Sequence, residues 1–111
     1  MENLTIAERV EDALDSADAV MTLRIQRERQ DAGHLPDLRE YSNLYGINRS
    51  RMSLARPGAP LMHPGPMNEG VEISSDVAHG DQSVVEAQVR NGVAVRMAIL
   101  YAVCSQGREQ E

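Results

Sequence analysis

Two short stretches of this 111-residue chain carry groups suited to chemistry on small anions. In Arg24-Ile25-Gln26 the arginine and glutamine stand two residues apart, so in extended chain both side chains project to the same side. A guanidinium can take one carboxylate of a dicarboxylate through two parallel hydrogen bonds, and the neighbouring amide adds donors and an acceptor. The second stretch is His63-Pro64-Gly65-Pro66-Met67-Asn68. Each proline fixes φ and has no N–H to donate, so neither a helix nor an interior strand can run through it. The resulting turn leaves carbonyls without ladder partners, to be met by water or a ligand. Gly65 lacks a Cβ, and a ligand can approach its backbone closely. Taken alone, each stretch also has an ordinary reading, as a solvated charged loop and as a plain turn.

In α/β proteins, ligand groups come from strand ends and the loops that follow them. The run Ala19 to Ile25 is mainly apolar with β-branched members, as in a strand buried on both faces of a parallel sheet. Its polarity changes abruptly at Arg24. Ala59 to Met62 predicts a second short strand feeding the proline turn. Between the two, Gln30 to Pro36 reads as loop; His34 lies in it and is given no role. Leu38 to Tyr45 has the spacing of an amphipathic helix ending at Gly46 with C-cap chemistry. Asn48 is placed to cap a short helix through Arg51 to Ala55, with the arginines at 49, 51 and 56 on a solvated face.

Upstream, Thr5-Ile6-Ala7-Glu8 reads as a capping box, opening a helix whose stripe is Ile6, Val10, Ala13 and Leu14. Downstream, Ser83-Val84-Val85-Glu86 is a second box, opening a long helix to Cys104 with Gln88, Arg90 and Asn91 exposed. From Val93 onward nearly every residue except Arg96 is apolar, and such a helix needs cover on several sides. That surplus predicts a missing partner. The architecture expected is α/β, a small mostly parallel sheet flanked by helices with right-handed crossovers. Arg24 and Gly65 should lie at the same end of that sheet, facing one cleft.

Composition narrows the class. With no Phe or Trp and 3% aromatic residues, the core must be aliphatic and methionine-rich. A net charge of −6 argues against a general basic surface for nucleic acid. The single cysteine, Cys104, cannot form an internal disulfide, and three scattered histidines do not make a metal site. The first residues lack the features of a signal peptide, and the apolar run Met97 to Cys104 is far short of a membrane span. A soluble, cytoplasmic setting is the expectation.

His63 to Asn68, followed by Gly70-Val71-Glu72-Ile73, resembles the segment that closes the active site of aspartate carbamoyltransferases, which catalyse the committed step of pyrimidine synthesis. Ala17 to Arg29 resembles that family's aspartate-binding strand and loop. Asp76-Val77-Ala78, Gln82-Ser83-Val84 and Gln88 to Ala98 resemble its last helix and the approach to it. The resemblance implies a three-layer α/β/α Rossmann-like domain, with residues 1–111 forming the C-terminal portion of the Asp/Orn-binding domain and the carbamoyl-phosphate domain absent.

By the same resemblance Arg24 and Gln26 bind L-aspartate, and the backbone carbonyls of Gly65 and Pro66 bind the amino group of carbamoyl phosphate. Glu28, His63 and Pro64 support them, with Glu28 aiming Arg24 and His63 structural. No catalytic residue is assigned to this chain. The implied reaction, carbamoyl transfer giving N-carbamoyl-L-aspartate and phosphate, needs no metal or organic cofactor. In the family the loop 30–36 moves as the site closes, and the complete enzyme is a trimer.

Two departures matter. The residue after the Pro-Met-Asn turn is typically arginine and is Glu69 here; the usual Ala-Asp-Gly-Pro reads Ala78-His79-Gly80-Asp81. The Ser-x-Arg-Thr phosphate loop of the family's first domain does not occur in the chain. The chain is therefore expected to be inactive alone and to need a carbamoyl-phosphate domain or catalytic subunits. The alternative is a non-catalytic, carbamoyltransferase-derived binding subunit that assembles with catalytic chains. An ornithine carbamoyltransferase relative fits less well, because that branch resembles His-Cys-Leu-Pro at the turn.

Overall fold

The computed structural model describes residues 3–25 and 37–106. Within them the elements run α1 (Val10–Leu14), β1 (Val20–Met21), α2 (Leu38–Tyr45), α3 (Arg49–Met52), β2 (Leu61–Met62), α4 (Ser75–Ala78) and α5 (Val85–Gln106).

The two strands pair in parallel, Val20 opposite Leu61 and Met21 opposite Met62. Val20 N–H donates to the Pro60 carbonyl and Thr22 N–H to the Met62 carbonyl, each at 3.0 Å. The next rung would call on the N–H of Pro64, which does not exist, so the ladder stops there. That is why the strand expected over Ala19 to Ile25 is regular only at Val20–Met21. On the other edge of β2, Leu61 N–H donates to the Gln82 carbonyl at 2.8 Å and the Leu61 carbonyl accepts Val84 N–H at 3.0 Å, bringing residues 82–84 alongside.

Side chains alternate across this sheet. Val20 and Leu61 enter a core built with Leu14, Ile47, Met52, Ala55, Ala59, Ile73, Val77 and Ala78. Met21 and Leu23, on the opposite face, are 55% and 64% exposed. The expectation of a strand buried on both faces is corrected, because the described elements cover only one.

The first helix is also shorter than expected. Thr5 to Glu8 are not helical, α1 begins after an Arg9 N-cap with no side-chain bond, and Ile6 is 88% exposed. A short helix survives only where it packs, and here that is where Val10 and Leu14 reach the core. The helix α2 has the predicted bounds. Gly46 ends it at φ −62°, without the left-handed turn of a usual C-cap. A Cβ there would sit 2.6 Å from the Ser42 carbonyl and 2.7 Å from the Val71 carbonyl, so close backbone packing is what requires glycine.

Asn48 caps α3 as predicted, accepting Arg51 N–H at 2.9 Å, though the helix spans Arg49–Met52 instead of running to Ala55. Arg51 is not on a solvated face. Its guanidinium, with the side chain 14% exposed, donates to the Gly46 and Asn43 carbonyls at 2.7 Å and pairs with Glu11 at 3.0 Å. It thereby satisfies orphan carbonyls at the end of α2 and ties α1 to α3. Glu11's carboxyl is held below its ordinary value by its own backbone amide and then by Arg51. Arg49 and Arg56 do lie at the surface, paired with Asp76 and Asp18.

The long helix starts at Val85, one residue later than the capping box implies, with Ser83 paired to Leu61 and its hydroxyl oxygen accepting Val85 N–H at 3.5 Å. Beyond Val93 its apolar side chains stand open: Met97, Leu100, Tyr101 and Val103 are each about two-thirds exposed or more, at 66%, 64%, 77% and 67%. Among the described residues no helix is long and apolar enough to cross a membrane.

Candidate functional site

Arg24 and the proline turn sit just beyond the C-terminal ends of the two neighbouring strands. β1 and β2 end side by side at Met21 and Met62, each three residues before Arg24 and Gly65 respectively. The side-chain amide of Asn68 donates to the Ile25 carbonyl at 3.2 Å, tying the far side of the turn to the strand end that carries Arg24. The Arg24 side chain is exposed. Gln26 and Glu28 lie outside the described residues, as do Arg27, Arg29 and the loop 30–36 with His34.

The turn itself is built around His63, which is fully buried. Gly65 N–H donates to His63 Nδ1 at 2.8 Å; since that nitrogen accepts, the ring hydrogen sits on Nε2 and is donated to Glu72 Oε1 at 2.9 Å. The same Oε1 accepts Asn68 N–H at 2.9 Å. His63 N–H in turn donates to the side-chain oxygen of Gln88, at 2.9 Å, in the second turn of α5. Both ring nitrogens of His63 are thus engaged within the fold.

Gly65 takes φ +67°, a left-handed conformation that favours glycine, and a Cβ there would approach Val89 Cγ2 to 3.1 Å. The Gly65–Pro66 peptide is cis. Pro64 and Pro66 are exposed and Gly65 half-buried, leaving this segment at the surface of the strand ends.

Sequence reasoning missed Glu72 and Gln88. Glu72 is 3% exposed and its second oxygen, Oε2, has no hydrogen-bond partner among the described residues. It is near enough to Tyr41 that its charge, after burial, helps to raise that hydroxyl above its ordinary value. A lone acid inside the apolar run Val71-Glu72-Ile73 was the available signal. For Gln88 the helical pattern gave the opposite expectation, solvent exposure, and the structure corrects it to half-buried and bonded.

The two departures from the expected pattern meet each other: His79 Nε2 is hydrogen-bonded to Glu69 Oε1. Where the resemblance puts arginine and aspartate, this chain has an acid and a histidine, and these two contact each other. A hollow of about 520 Å³ lined by Arg49, Asp76, His79 and Gln82 includes none of the predicted site residues. Its charged walls, Arg49 and Asp76, already pair with each other.

Residues 2–103 match the profile of the aspartate/ornithine carbamoyltransferase Asp/Orn binding domain. The aspartate carbamoyltransferase catalytic subunit of Desulforudis audaxviator is 59% identical over 98 residues, 88% of this chain and 32% of the relative. That of Syntrophotalea carbinolica is 61% identical over 98 residues, again 88% of this chain and 31% of the relative. The chain thus spans about a third of the length of the curated relatives it matches.

Among solved structures, anabolic ornithine carbamoyltransferase from Campylobacter jejuni superposes with TM-score 0.73 at 25% identity, covering 90% of this chain and 33% of that one. Aspartate transcarbamoylase from Trypanosoma cruzi, in complex with carbamoyl aspartate and phosphate, gives 0.67 at 29% identity over 86% of this chain and 28% of that one. The parallel strand pair and the long final helix are thus part of a Rossmann-like α/β fold. The chain belongs to the aspartate/ornithine carbamoyltransferase family, as a segment of its Asp/Orn binding domain.

Proposed function

We propose that this chain supplies the aspartate side of an aspartate carbamoyltransferase active site and acts when joined to a carbamoyl-phosphate domain. Arg24 takes a carboxylate of L-aspartate, Gln26 orients the same molecule, and Glu28 aims the Arg24 side chain. The carbonyls of Gly65 and Pro66 accept hydrogen bonds from the carbamoyl amino group, leaving its carbon open. The aspartate amine then attacks that carbon, a tetrahedral intermediate forms, and the C–O bond to phosphate breaks. Catalysis is mostly the orientation of two anions and the stabilisation of developing charge, so half of the clamp is worth little alone. His63 holds the turn and moves no proton.

The observation that carries this reading is the shared strand end: an exposed arginine and the proline turn following adjacent parallel strands, joined by the Asn68–Ile25 bond. The bare apolar half of α5 supports docking of a second folded unit that brings the phosphate-binding residues. A cytoplasmic location and a trimeric complete enzyme accompany the proposal. A second reading, a non-catalytic binding subunit that assembles with catalytic chains, is favoured by Glu69, an acid beside a site for two anions.

Co-expression with a carbamoyl-phosphate domain from a relative, followed by a carbamoylaspartate assay, separates these readings. Turnover by the pair and none by the purified chain supports the first; a stable but inactive pair supports the second. Leu100→Glu, at an exposed position, should leave the chain's thermal unfolding unchanged and abolish pairing. Product formation by the chain alone would refute the requirement for a partner.

A further inference from the structure

The backbone donors of the proline turn are consumed inward. Between His63 and Asn68 the two prolines have no N–H, and three of the four remaining backbone N–H groups are donated to side-chain atoms: His63 to the half-buried Gln88, and Gly65 and Asn68 to the buried His63 ring and Glu72. A single oxygen, Glu72 Oε1, holds both ends of the segment, Asn68 directly and Gly65 through the imidazole. Gln88 adds a third anchor from α5.

Burying a carboxylate to 3% exposure with Oε2 unpartnered among the described residues is unfavourable for folding alone. Unfavourable polar burial of this kind tends to be retained where it fixes a functional geometry.

We propose that Glu72 and Gln88 are positioning residues: by locking His63 in its Nε2–H tautomer and drawing the turn's N–H groups inward, they aim the Gly65 and Pro66 carbonyls at a ligand that donates hydrogen bonds. The ligand class is a primary amide or carbamoyl group. The role assigned to that ligand rests on the proposed function above; the lock itself does not. A carboxylate is needed only as an acceptor at Oε1, so glutamine can replace it, its amide nitrogen taking the place of Oε2. Alanine cannot.

The test has two arms. Long-range proton–nitrogen NMR on the full chain reads the His63 ring. Wild type and Glu72→Gln should show hydrogen on Nε2 and an accepting Nδ1, with the Gly65 and Asn68 amides protected from exchange; Glu72→Ala should lose this protection. In the pair with a carbamoyl-phosphate domain, Glu72→Ala should raise KM for carbamoyl phosphate at least tenfold and change KM for aspartate less than twofold. Glu72→Gln should stay within threefold of wild type for both.

Should Glu72→Ala fail to fold, Gln88→Ala provides the same split at about threefold, with loss of His63 amide protection. An Nδ1–H ring in wild type overturns the lock. So does equal impairment for both substrates, or an unchanged KM for carbamoyl phosphate. If the wild-type pair makes no carbamoylaspartate, the proposed function fails, and the lock is decided by the ring nitrogens.

Discussion

Asn68 donates its side-chain amide to the carbonyl of Ile25 at 3.2 Å, joining a residue two places past Pro66 to one place past Arg24. Forty-three residues separate the partners in sequence, yet the bond closes the gap between the two loops that leave the parallel strands. It makes the spacing between Arg24 and the proline turn a fixed dimension of the fold.

Removing that bond should loosen the spacing without dissolving the core. Asn68→Ala is expected to lower stability in urea by about 1 kcal/mol, the net worth of one such hydrogen bond. Asn68→Asp should cost more, because its carboxylate would face a carbonyl with no proton between them. Equal losses for the two variants would mean that the Ile25 contact carries no weight.

Gly65 and Gly58 offer an internal comparison. Both have positive φ, +67° and +79°, but a Cβ at Gly65 would meet Val89 at 3.1 Å, whereas at Gly58 it would meet nothing within 4 Å. Each alanine variant should lose about 1 kcal/mol for the backbone conformation. Gly65→Ala should lose roughly 1 kcal/mol more for the contact, and Val89→Ala in the same chain should remove the excess. Denaturation curves for the three variants check this.

The Glu69–His79 contact is testable by exchanging its partners. Glu69→Arg would remove the acceptor that His79 Nε2 meets and His79→Asp would set two carboxylates together, while the double variant places opposite charges at the two positions. Because both side chains are exposed, 67% for His79 and 40% for Glu69, the coupling in a double-mutant cycle is expected to be a few tenths of a kcal/mol. Additive single effects would show that the two positions do not communicate.

Much of the fold was legible where local chemistry decides it. The bounds of α2, the Asn48 cap, the short β2 and the long α5 all follow from spacing, caps and prolines. The failures share a cause: the side chains involved answer to contacts far off in sequence. Arg51 reads as a surface arginine until the end of α2 and Glu11 close around it. Gln88 reads as exposed until the turn reaches α5. Ile6 and Leu23 read as core residues, but their faces have nothing to pack on among the described residues. Of the site, the proline turn and Arg24 were visible as residue types, while the Glu72 clamp depends on how the chain folds back and has no motif of its own.

The proposed binding of aspartate by Arg24 beside the proline turn is tested most directly by KM for aspartate of Arg24→Ala in the pair with a carbamoyl-phosphate domain. That KM should rise about 100-fold, close to 3 kcal/mol, with KM for carbamoyl phosphate changed less than twofold. An unchanged KM for aspartate in a folded, active pair would contradict it.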